Sequence, residues 1–167
     1  MRSFTGKLNN FKFPVPETLT SKSRLSPDLI LVFDVKTYRF GLAESTMNAY
    51  SKALVALIKE EGIENQVLLE FNDVEFAKSV QQLRPDLKIF VYNEFTYAFE
   101  KAIENGFYGI TVDMDQVSAT DVLKAHENNL RVALFGPDSK SKNIEAIKMQ
   151  PDYIQSDALK HLDRILN

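Results

Sequence analysis

Cysteine is absent from the 167 residues. Disulfides, cysteine-ligated zinc, iron–sulfur clusters and a thiol nucleophile are therefore excluded, and any metal must sit on oxygen or histidine. Only two histidines occur, His126 and His161. Both fall inside helix-period segments, LKAHENN and ALKHLDRIL, so neither stands out as a general acid or base. Glycine is scarce, with six residues. No G-x-G-x-x-G or G-x-x-x-x-G-K-[ST] phosphate turn occurs, and no H-E-x-x-H or G-x-S-x-G. No apolar run approaches the ~20 residues of a membrane span. The opening MRSFTGKLNNFKF lacks the apolar core of a signal peptide, so the expectation is a soluble protein of unknown compartment. Neither charge dominates: 20 Lys and Arg face 23 Asp and Glu, a net charge of -3. Nothing in that balance calls for nucleic acid as a partner.

What remains is enough for one packed domain. Hydrophobic residues make up 44% and charged residues 26%, which excludes wholesale disorder. Residues 1–28, with Pro14, Pro16 and Pro27, have no sustained period and read as an irregular arm. From residue 29 to 167 a regular alternation runs. Strand-length apolar runs occur at 29–35, 67–71, 87–92, 108–112, 130–135 and 152–155. Helix-period segments follow each, at 44–61, 73–83, 95–105, 118–128, 141–149 and 158–166. The first helix places Met47, Tyr50, Leu54, Leu57 and Ile58 on one stripe. Gly62, Gly106 and Asn129 stand where helices stop, and Pro85 and Pro151 close two others. Asp73 (or Asn72), Ser118 with Asp121, and Ser156 or Asp157 read as N-caps. About six β-α units with near-continuous apolar strands predict a parallel sheet covered on both faces. Six strands suit a doubly wound sheet, whereas a closed (β/α)8 barrel needs eight.

The segment L-I-L-V-F-D-V-K-T, Leu29–Thr37, carries the most chemistry. Strand alternation puts Ile30, Val32, Asp34 and Lys36 on one face. Two charges at the C-terminal end of an apolar strand are costly unless paired or used. Asp34 can ligate a hard cation and Lys36 can hold a phosphate, or the two can simply form an ion pair. Further polar groups end other strands: Glu70 and Asn72, Asn93 and Glu94, Asp113 and Asp115, Asp138, and Gln155. Phe71, Tyr92 and Phe135 also end strands, either lining a pocket or filling the core.

From Leu29 onward, about 140 residues resemble the C-terminal part of the glycerophosphodiester phosphodiesterase family. F-D-V-K is similar to its strand motif I-E-I-K. VLLEFNDVEFAKSVQQLRPDLKIFVY and SATDVLKAHENNLRVALFGPDSKSKNIEAIKMQPDYIQSDALKHL resemble its later segments, with matching spacing over four strands. The resemblance implies an α/β fold of the (β/α)8 TIM-barrel type, seen as an incomplete barrel whose third strand is 29–35. It implies metal-dependent hydrolysis of small-molecule glycerophosphodiesters to an alcohol and glycerol phosphate, in lipid and glycerol metabolism, with Ca²⁺ or Mg²⁺. Asp34 takes the place of the family's metal-binding Glu and Lys36 that of its active-site Lys. Phe71 and Phe135 become the substrate-lining residues. The family's H-R-G motif, E-x-D metal pair and second histidine do not occur. Its S-S-F is E-F-N at Glu70–Asn72, and its W-T is replaced around Ala133–Gly136, which predicts a mouth short of one aromatic. These departures leave a catalytically degenerate binding or structural module as the alternative, and two open sheet edges suit a homo-oligomer.

Overall fold

The computed structural model describes residues 29–37 and 44–166. The irregular arm expected over residues 1–28 lies outside them. Six strands alternate with six helices: β1 (Leu31–Val35), α1 (Glu44–Glu61), β2 (Val67–Phe71), α2 (Val74–Leu83), β3 (Lys88–Tyr92), α3 (Phe95–Asn105), β4 (Gly109–Asp113), α4 (Ala119–Glu127), β5 (Arg131–Phe135), α5 (Lys140–Lys148), β6 (Tyr153–Gln155) and α6 (Leu159–Leu166). A 3-10 turn, Met114–Gln116, joins β4 to α4. The strands are parallel and ordered β1-β2-β3-β4-β5-β6. A doubly wound sheet reverses its order at a switch point, and this one does not. The described residues therefore form six units of a (β/α)8-type fold.

Local chemistry sets the boundaries. Asp73 caps α2 by accepting the amides of Glu75 and Phe76 at 3.0 and 3.1 Å. Ser118 and Asp121 form a reciprocal capping box at the start of α4. Gly62, Gly106 and Asn129 all take left-handed φ angles, 63°, 64° and 60°, which reverse the chain after a helix at little cost for Gly and Asn. Gln150 does the same (φ 59°) just before Pro151, a position the sequence pattern does not flag.

The residues fall into two compact units. The first holds β1, α1, β2 as far as Leu69, and α2. Leu54, Ile58, Val67, Phe76 and Val80 are buried there, with the Tyr50 ring edge-on to Phe76 at 5.2 Å. Ser51 interrupts the expected apolar stripe of α1 and is fully buried. Its hydroxyl bonds the Met47 carbonyl at 2.9 Å and the Ser79 hydroxyl on α2, so no polar group is stranded.

The second unit holds Glu70–Asn72, β3 to β6 and α3 to α6. Its core is built on Phe90, Ile110, Met114, Val132 and Leu134. Gly109 is required by packing: a Cβ there would lie 2.3 Å from the Arg131 carbonyl oxygen and 2.6 Å from the Phe90 ring. Within this unit Glu70, on β2, is only 5% exposed. Its Oε1 accepts from Thr111 Oγ1 of β4 at 2.8 Å and from Gln155 Nε2 of β6. In a flat sheet β2 and β6 would stand about 19 Å apart, at 4.7–4.9 Å per strand. Direct contact between their side chains requires the strands to curl. One layer filled from alternate strands is how a (β/α) barrel packs its interior.

Candidate functional site

In the first unit, the expected pair at the mouth of β1 forms. Lys36 Nζ lies 2.9 Å from Asp34 Oδ2, and the two side chains are 47% and 50% exposed. Val32, on the same face, is also exposed, while Val35 on the other face is buried, so the alternation expected of this strand holds. A half-exposed pair of this kind contributes at most about 1 kcal/mol to stability. Next to it, Thr37 Oγ1 donates to Asp73 Oδ2 at 3.3 Å, tying the residue after β1 to the α2 cap.

In the second unit a cavity of about 440 Å³ opens at the C-terminal ends of the strands. It is lined by Asn72, Tyr92, Asn93, Glu94, Asp113, Gln116 and Phe135. That end is where (β/α) folds carry their sites. The rings of Tyr92 and Phe135 meet at 5.1 Å and 46°. Glu94 caps α3, accepting the amides of Thr96 at 2.9 Å and Tyr97 at 2.7 Å. Asp113 accepts the Asp115 amide at 3.0 Å and the Gln116 side-chain amide at 3.3 Å. Lys142 is outside the lining and pairs with Asp115 at 2.5 Å. Its ammonium is held above the usual lysine range first by that hydrogen bond, with Asp138 and Asp113 adding their charge.

The lining thus has two carboxylates, three side-chain amides and two rings, and no cationic side chain. A phosphate charge 5 Å from either carboxylate would be opposed by about 3 kcal/mol at an effective dielectric constant of about 20. This cavity suits a neutral or positively charged group.

Of the two aromatics expected to line the substrate site, Phe135 does line this cavity. Phe71 does not: it is fully buried, because every residue of β2 is covered on both faces. The ring is core, and the next residue, Asn72, reaches the cavity instead. Phe135 and Tyr92 stand together at this mouth. Gln116 escaped the sequence pattern because a 3-10 turn, not a strand end, presents it. Thr111 was legible only through its parity with Asp113.

Among the described residues no group of three or more His, Asp or Glu side chains could hold a metal ion. Asp34 is a single carboxylate already paired with Lys36, and Ca²⁺ takes 6–8 oxygen ligands. His126 lies at the other end of the strands. Its Nε2 is 3.0 Å from Asp152 Oδ2, and Asp152 also accepts from Arg131 at 2.7 Å and from the Val132 amide at 2.8 Å. That cluster braces the N-terminal ends of β5 and β6.

The architecture has close parallels among solved structures. The chain superposes on one assigned as a glycerophosphodiester phosphodiesterase from Galdieria sulphuraria with a TM-score of 0.77, at 20% identity, over 89% of this chain and 61% of that one. A glycerophosphodiester phosphodiesterase from Parabacteroides distasonis gives 0.73 at 16% identity, over 84% and 58%. A phosphodiesterase from Oleispira antarctica, solved with its product sn-glycerol-3-phosphate, gives 0.66 at 13% identity, over 74% and 51%. The fold is shared with glycerophosphodiester phosphodiesterases. The chain spans only about half to three-fifths of the length of these structures. No protein-family model and no curated protein matches it. No helix among the described residues is long and apolar enough to cross a membrane.

Proposed function

We propose that this chain serves the hydrolysis of glycerophosphodiesters, with Lys36 meeting the phosphoryl group. Water adds to phosphorus and gives up a proton to solvent, the P–O bond to the alcohol breaks, the departing oxygen takes up a proton from solvent, and an alcohol and glycerol phosphate leave. The observation that carries the reading is the Asp34–Lys36 pair at the mouth of β1, in a fold shared with such enzymes. Asp34 orients the ammonium, and the ammonium offsets charge that grows on the phosphoryl oxygens. The glycerol phosphate bound by the Oleispira phosphodiesterase supports the product class.

A second reading, a binding module without turnover, is favoured by one specific observation. In the second unit, both carboxylates of the cavity, Glu94 and Asp113, accept backbone amides and serve the local turns. The two readings separate in one assay: release of free alcohol from glycerophosphocholine and glycerophosphoinositol, with and without chelator. Turnover on either supports hydrolysis, and its loss with chelator would require metal ligands beyond those described. Binding without turnover moves the assignment to the second reading.

A further inference from the structure

The residue after Lys36 is tied to a helix from the opposite side of the strand. We infer that Thr37 and Asp73 form a positioning pair for Lys36, fixing the backbone from which the lysine stem departs. The inference deepens the reading above, on which it rests for what Lys36 does.

Strand alternation sends the two neighbours to opposite faces. Lys36 follows Val32 and Asp34 on the exposed face of β1, whereas the half-buried Thr37 follows Val35 on the covered one. There the Thr37 hydroxyl donates to Asp73 Oδ2 at 3.3 Å. Asp73 is a fixed acceptor. Its Oδ1 takes the amides of Glu75 and Phe76 at 3.0 and 3.1 Å as the N-cap of α2, and those two bonds set the orientation of the whole carboxylate. Oδ2, the oxygen that capping does not use, is therefore aimed by the helix. The helix is itself anchored through Phe76, Ala77 and Val80, which are buried. A chain of contacts thus runs from the core side of α2 through Asp73 to Thr37 and ends one residue from Lys36.

Lysine needs such support more than most residues. It carries a compact charge on a flexible four-carbon stem, and at 47% exposure packing does not hold the Lys36 side chain. Asp34 restrains the ammonium at the tip of the stem, and the Thr37 tie restrains the backbone at its base. A cation restrained at both ends loses less freedom on meeting a phosphoryl group, and electrostatic stabilisation counts most when the charge is already in place. Capping alone does not require the tie, because Oδ1 caps α2 whatever side chain stands at position 37.

Lysine-selective ¹H–¹⁵N NMR of the full chain reads the Lys36 ammonium directly, with its signal assigned from Lys36→Arg. Two substitutions cut the tie and spare the cap. Thr37→Val removes the donor, and Asp73→Ser keeps a good N-cap residue on a side chain without Oδ2. Each should shift or broaden the Lys36 signal while the signal of Lys101, paired with Glu104 on α3, stays unchanged as a reference. The double variant should do no more than either change alone, as expected of two residues in one contact, and Thr37→Ser should keep the parent signal. Kinetics on glycerophosphocholine should follow the same order. Thr37→Val should lower kcat by about 10- to 100-fold, within the scale of a 1 Å misplacement, with KM held within about 2-fold, and Thr37→Ser should retain the parent kcat. A tie with a structural role only would lower the melting temperature and leave the Lys36 signal and kcat alone, which overturns the inference. So does a Thr37→Ser variant that behaves like Thr37→Val, or a parent whose Lys36 signal is already as broad as that of an unpaired lysine. The two readings fail separately. A parent without turnover defeats the proposed reaction, and the Lys36 signal still decides whether the pair positions the lysine; turnover that Thr37→Val leaves unchanged defeats this inference alone.

Discussion

Glu70 is the residue whose environment most constrains the interior of the second unit. A carboxylate with 5% exposure accepts from Thr111 and Gln155, which approach from two other strands. Glu70→Ala would leave the buried Thr111 hydroxyl and the half-buried Gln155 amide without their acceptor, at about 1–3 kcal/mol for the buried one. Glu70→Gln keeps a carbonyl oxygen in place and should cost less than half as much. Urea unfolding midpoints of the two variants check the ranking, and equal losses would show that the network adds nothing beyond packing. Asp152 makes a complementary case at the other end of the strands. Burial alone would raise its carboxyl, but the Val132 amide, the Arg131 guanidinium and the His126 ring outweigh burial and hold it below the usual range. Its folded value lies below the unfolded one of about 3.9, so the stabilisation is complete above that pH and is lost as pH falls through the folded value. Asp152→Asn should therefore flatten the fall of stability with acid below about pH 4. Urea midpoints measured from pH 6 down to pH 2.5 would contradict this if the variant kept the wild-type slope.

At the scale of elements, spacing and punctuation carried far. All six strands and six helices appear where apolar period and caps put them, with ends shifted by no more than two residues. The reason is local: a left-handed Gly106 or Asn129 and a capping box at Ser118 act through neighbours in sequence, so a reader of the chain sees both partners. The site was less legible because it is assembled across strands. Nothing near Phe71 reveals that β2 is covered on both faces, and nothing near Glu94 shows that its carboxylate is a cap rather than a ligand. The Asp34–Lys36 pair was readable because both partners lie on one strand two residues apart. Gly109 illustrates the non-local case. Its Cβ space is occupied by the Arg131 carbonyl of β5 and by the Phe90 ring of β3. Gly109→Ala must push β4 away from one of them and should destabilise the fold by about 1–3 kcal/mol. Chemical denaturation would contradict the packing account if the variant were as stable as the parent.

For the molecule as a whole, each unit carries its own chemistry at its strand ends. The first unit presents a lysine held by an aspartate at a strand mouth. The second presents an acidic, aromatic cavity that disfavours anions. The fold is shared with phosphodiesterases at 13–20% identity, a level at which the residues and not the likeness must carry the assignment. Lys36 is therefore the group on which the account depends. The most direct test is a ³¹P NMR time course of glycerophosphocholine with the full chain and with Lys36→Ala. The account predicts that a glycerol phosphate resonance grows with the parent and that its rate falls about 10²–10³-fold in the variant, the cost of losing one transition-state charge contact. Equal rates in the two proteins would contradict it.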